Sequence, residues 1–246
     1  MGRIWHYTRV VKLHLAAGRI VSRMPLIWEL LGVLALTALI YGFGHASGRP
    51  VYGLLSVAAA WVVIGLLLRL RGRGWKAVGL KRPWAWKKTW TISLAGAGML
   101  YVLVRLIKEP ISRLTGRPLD ISLFETLRGD PAALISGLLI VWSIAAFGEE
   151  MVFRGYVFNR IALLLGATKT GWAAGVCLSS LIFALGHVYQ GPTGMILSGT
   201  AGLVYCGAYL LDGRRLWAPI LIHGLYDTGA LLILYLDLDR SFLVVL

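Results

Sequence analysis

Seven apolar runs dominate this 246-residue chain, at 26–44, 51–69, 90–108, 132–165, 172–190, 194–211 and 216–236. Each approaches the roughly 20 residues that a helix needs to cross the hydrocarbon core of a bilayer. The expected fold is therefore all-α, a polytopic bundle of transmembrane helices. The run at 132–165 is too long for one straight crossing, since its 34 residues would rise about 51 Å as α-helix. It either crosses once and continues along the interface or breaks near Gly148 into two helices. That gives seven or eight spans.

The chain is 58% hydrophobic, against about 45–50% in soluble domains, so it is read as an integral membrane protein. A net charge of +14 could suggest a nucleic-acid partner, but the positive charge sits in short segments beside the apolar runs. Arg3, Arg9, Lys12, Arg19 and Arg23 precede the first run, and Arg69 to Lys88 separate the second from the third. Cytoplasmic loops look like this, with anionic lipid headgroups as the counterpart. Membrane lipids, not nucleic acid, are the expected partners, and the N-terminus is expected in the cytoplasm. The Asp212–Arg215 turn then falls on the same side. The mixed-sign loop at 109–131 suits the outer face, with Ile121–Leu127 as a short interfacial helix. The first run carries no small-x-small cleavage site and reads as a retained span.

No polar linker divides the chain, so one domain is expected. It comprises a basic segment at 1–25, N-terminal helices and loops over 26–131, a second bundle over 132–236, and a tail at 237–246. Cys177 and Cys206 both lie inside apolar runs and read as buried free thiols.

Against this background the informative residues are polar. An ionised side chain at bilayer depth costs roughly 2.5 kcal/mol or more, and persists where it faces a protein interior or a wet cavity. Glu149, Glu150 and Arg154 form the first such cluster. Glu150 and Arg154 are four apart on one helical face and can pair, which leaves Glu149 pointing elsewhere and free. Phe183 and His187 form the second, at the end of an apolar run. His223 and Asp227, four apart in the last run, form the third. Each admits a bland reading: helix-end carboxylates, a packed phenyl ring, a hydrogen-bonded histidine, an aspartate that only orients its neighbour.

Together they place a free glutamate, two histidines and an aspartate on three apolar helices that a bundle could bring together. That set suits a general base acting on water, with donors for an oxyanion. It also suits a partial zinc site of Glu149, His187 and His223, although no HExxH is present. A relay moving protons through the membrane would need ionisable groups strung across its depth. Here nearly all the deep ionisable groups fall in the three clusters.

Glu149-Glu150-x-x-x-Arg154, Phe183-x-x-x-His187 and His223-x-x-x-Asp227 resemble, in order and spacing, the motifs of the CPBP family. These are the CaaX proteases and bacteriocin-processing enzymes, intramembrane endopeptidases also called the Abi family. The resemblance covers about 132–235. It implies that Glu149 and His187 activate the attacking water, and that His223 and the residue at 227 stabilise the oxyanion. Glu150, Arg154 and Phe183 would support them. In the eukaryotic CaaX enzymes the last position is typically Asn, a possible donor. Asp227, when ionised, can only accept, so it is expected to orient His223 or to stay protonated.

The implied function is hydrolysis of a membrane-associated peptide or protein by an endopeptidase of the bacterial cell membrane. No cofactor is favoured. A zinc protease using the same residues is one alternative. The other is a non-enzymatic immunity factor or proton-coupled membrane protein.

Overall fold

The computed structural model describes residues 24–49 and 51–238. The basic positions Arg3 to Arg23 and the tail beyond Leu238 lie outside them. Seven helices are described: α1 (Met24–Ala46), α2 (Val51–Leu70), α3 (Trp86–Thr115), α4 (Pro131–Leu164), α5 (Lys169–Leu185), α6 (Gly191–Leu211) and α7 (Trp217–Tyr235). Short 3₁₀ turns occupy Trp75–Val78, Ser122–Leu127 and Val188–Gln190. No strand occurs among the described residues. Six of the seven helices are long and apolar enough to cross a membrane. The seventh, α5, has 17 residues, at the short end of what can span.

The bundle is apolar outside as well as inside. Leu39 is 72% exposed, Leu139 68% and Leu106 65%, a surface that lipid tails cover at no cost and that water would penalise. The chain is a polytopic helical membrane protein.

The long run does not break at Gly148. It stays helical over its 34 residues, but winds as π-helix over Val141–Glu149 and Met151–Phe158. Such windings are rare and concentrate at functional sites. They let one helix absorb the surplus length that suggested a break. Asp130 fixes its start: the carboxylate accepts from the backbone N–H groups of Ala132 and Ala133, at 2.8 and 3.1 Å, with Pro131 in the first turn. All eight residues of Met151–Phe158 are buried, and α2, α5 and α6 pack around them.

Two sequence expectations change. The helix preceding the 109–131 loop runs through Pro110 to Thr115. Proline costs one backbone bond, but Ile107 and Ile111 pack on the core and Glu109 pairs with Arg113 one turn on, at 2.8 Å. Cys206 is buried, but Cys177 is exposed on α5.

α7 lies across the first half of α4. A side chain at Gly224 would collide with the Trp142 ring, and the Trp142 indole N–H donates to Thr228 Oγ1 at 3.1 Å. This contact sets the register between the helices that carry the first and third polar clusters.

Candidate active site

The π-wound stretch of α4 carries Glu149, Glu150 and Arg154. The end of α5 carries Phe183, with His187 just beyond its last turn, and α7 carries His223 and Asp227. The bundle brings all three clusters together around the Phe183 ring. Phe183 lies with its centroid 4.6 Å from that of His187 and 6.1 Å from that of His223, and the Arg154 guanidinium sits 4.3 Å over its face. A residue that reads as packing in the sequence is the hub of the site.

Arg154 is fully buried. Its Nη1 donates to Glu150 Oε1 at 2.9 Å, and its guanidinium is stacked between Phe183 and the Tyr205 ring, 4.9 Å away. Cation–π contacts of this kind strengthen when desolvated. Gly202 makes room: a Cβ there would come within 3.1 Å of both Arg154 Nη2 and Ser180.

Glu150 serves a second partner as well. Its Oε1 is 3.0 Å from His223 Nδ1, and His223 Nε2 is 3.3 Å from Asp227 Oδ2. The Tyr205 ring lies flat on His223, with centroids 4.8 Å apart and planes 17° from parallel. Arg154, Glu150, His223 and Asp227 therefore form one chain of polar contacts linking α4 to α7. Both nitrogens of His223 face carboxylate oxygens. A donor role toward an oxyanion would require one of those contacts to open.

His187 is held differently. Its Nδ1 lies 2.9 Å from the Phe183 carbonyl. A carbonyl can only accept, so Nδ1 carries the hydrogen and the neutral ring keeps its lone pair on Nε2. His187 is thus oriented to accept from a water.

Glu149 has no such tie. It is half-buried, and its Oε2 is sequestered without a hydrogen-bond partner among the described residues. Unpaired polar atoms in a buried site are costly. Glu149 and His187 each lie within electrostatic reach of both His223 and Asp227.

For His223 to bind a zinc ion, one of its two carboxylate contacts would have to open, and among the described residues no three His, Cys, Asp or Glu side chains come together as a ligand set.

Sequence reasoning missed the double use of Glu150 and the packing of Tyr205 on His223. Tyr205 lies in the apolar run of α6, far along the chain from the three clusters and outside their spacing.

Residues 131–229 match the family model described as Rce1-like, type II CAAX prenyl endopeptidase Rce1-like. The matched segment runs from the first residue of α4 into α7 and contains all three clusters. It bears out the resemblance drawn from their order and spacing. No curated protein and no solved structure matches the chain.

Proposed function

We propose, from a segment that matches the Rce1-like CAAX endopeptidase family and from the geometry around Phe183, that the protein cleaves membrane-associated peptides or proteins with a water activated by Glu149 and His187. His187 Nε2 accepts a hydrogen bond from the water, and Glu149 takes its proton as the oxygen attacks the peptide carbonyl. When the C–N bond breaks, Glu149 returns that proton to the leaving nitrogen. Glu150 and Arg154 form the ion pair that closes off the other carboxylate, and His223 and Asp227 hold the wall of the site opposite. No metal takes part in this scheme. The N-terminus is placed on the cytoplasmic side on the strength of the basic flanking segments.

One observation carries the reading. Adjacent carboxylates on one buried stretch differ: Glu150 is bonded through Oε1 to both Arg154 and His223, whereas Glu149 is bonded to no described residue and has one oxygen sequestered. A purely structural site would not leave the second carboxylate unsatisfied. A proton relay is disfavoured because the ionisable groups of the three motifs meet at one place instead of stepping through the membrane. The test uses purified protein in proteoliposomes with a quenched-fluorescent peptide. Wild type should cleave it, and Glu149→Gln should be inactive with unchanged melting temperature. An active Glu149→Gln variant would overturn the reading.

A further inference from the structure

A hydrolase of this kind needs a donor for the oxyanion. The structure leaves that place open, because both His223 nitrogens face carboxylates and an ionised Asp227 can only accept. The nearby Tyr101 hydroxyl is engaged: its Oη donates to the Tyr226 carbonyl at 2.7 Å.

Tyr189 is not so engaged. It lies two residues after His187 in the 3₁₀ turn Val188–Gln190. Its ring stacks on the His187 ring, with centroids 5.8 Å apart and planes 30° from parallel. Its hydroxyl accepts from Gln190 Nε2 at 3.4 Å, so its own hydrogen remains available to donate. The hydroxyl is within electrostatic reach of Glu149 and Asp227. The turn is fixed on several sides. Gln190 N–H donates to the His187 carbonyl at 2.9 Å, Asp120 N–H donates to the Gln190 carbonyl at 3.1 Å, and Ser198 donates to Gln190 Oε1 at 3.3 Å. The buried hydroxyl of Tyr41, from α1, lies against the Tyr189 backbone. A donor held this firmly can point at a developing charge without reorganising.

We infer that the Tyr189 hydroxyl donates the hydrogen bond that stabilises the oxyanion during peptide hydrolysis. The inference rests on the Glu149–His187 reading. As the water oxygen bonds to the carbonyl carbon, the carbonyl π pair moves to its oxygen, and Tyr189 O–H donates to that oxygen without transferring its proton. The water proton still goes to Glu149, and from there to the leaving nitrogen.

Tyr189→Phe keeps the ring and its stack on His187 and removes one hydrogen-bond donor. In the proteoliposome assay its kcat should fall about 10²–10³-fold, the usual loss for one oxyanion donor, with KM and melting temperature unchanged. A non-cleavable phosphonate peptide, which carries a tetrahedral anion at the scissile position, should bind Tyr189→Phe more weakly by a similar factor. The matching peptide amide should bind both proteins equally. Wild-type kcat and phosphonate affinity in Tyr189→Phe, with Glu149→Gln inactive, would overturn the Tyr189 assignment and leave the Glu149 reading standing. So would a raised KM at unchanged kcat, since that places Tyr189 in substrate binding. An active Glu149→Gln would instead remove the reading on which the inference rests.

Discussion

Two regions of this bundle bury a carboxylate and an arginine, and they treat them in opposite ways. In the α6–α7 turn, both oxygens of buried Asp212 lie 3.1 Å from the hydroxyl of Thr89, which donates to them. Arg215 donates from Nε to the Arg82 carbonyl and from Nη1 to the carbonyls of Asp212 and Gly213, and its guanidinium stacks 4.3 Å over Trp84. No side-chain polar atom of Asp212, Thr89 or Arg215 is buried without a partner. Around Phe183, by contrast, Glu149 Oε2, Glu150 Oε2 and Arg154 Nε and Nη2 are buried with no partner among the described residues. The closed knot satisfies its polar groups within the protein, Asp212 by the Thr89 hydroxyl and Arg215 by backbone carbonyls. The open one leaves capacity for something else, and burial alone does not tell the two apart.

The comparison can be broken most directly at His187. Its replacement by Ala should cost about 10²–10⁴-fold in kcat with little change in melting temperature, measured on the same proteoliposomes. A loss of stability with activity retained would place His187 with the structural residues.

Next comes the contrast between the arginines. Arg154→Ala leaves Glu150 buried without its cation and should destabilise by about 3–5 kcal/mol, seen as a fall in the yield of folded protein. Arg215→Ala removes a stack and bonds to carbonyls near the surface and should cost about 1–2 kcal/mol. Equal losses would erase the distinction between open and closed clusters.

A smaller effect is expected at Asp227. Asn keeps an acceptor for His223 and is the residue typical of the eukaryotic enzymes that the motifs resemble. Asp227→Asn should therefore change kcat by about tenfold or less, equivalent to about 1.4 kcal/mol. A loss as large as that of His187→Ala would show that the charge on Asp227 is required.

The smallest is Asp212→Asn. Burial raises the Asp212 pKa, partly offset by the bond from Thr89 and the nearby Lys88 and Arg215. Folded Asp212 thus holds its proton more tightly than the unfolded chain does. Its contribution to stability declines as pH rises past the ordinary carboxylate value of about 3.9. Asn keeps an acceptor for Thr89 without the charge. The variant should match wild type within about 1 kcal/mol, gaining slightly on it between pH 4 and pH 7.5 in thermal melts. A variant that loses ground over that range would reverse the sign.

The fold was legible because hydropathy acts over twenty residues at a time, and each apolar run became a helix. The uninterrupted α4 was not. A π-winding leaves no mark in hydropathy, and Gly148 reads equally well as a hinge or as a packing position. The site was legible wherever its residues share a helix, as with Glu150 and Arg154 or His223 and Asp227. The contacts that join helices were not: Glu150 to His223, Tyr205 on His223, Tyr189 on His187. They depend on how the helices pack, which spacing along one chain does not encode. Asp227 in place of Asn was the one departure from the family pattern visible in the sequence.

Beneath these comparisons is the claim that protein groups alone, Glu149 and His187, activate the water. The direct test is the peptide-cleavage rate of purified protein after exhaustive chelation, alongside its metal content by elemental analysis. The account predicts an undiminished rate with far less than one metal ion per chain. Stoichiometric zinc, with activity lost to the chelator and restored by adding the metal back, would contradict it.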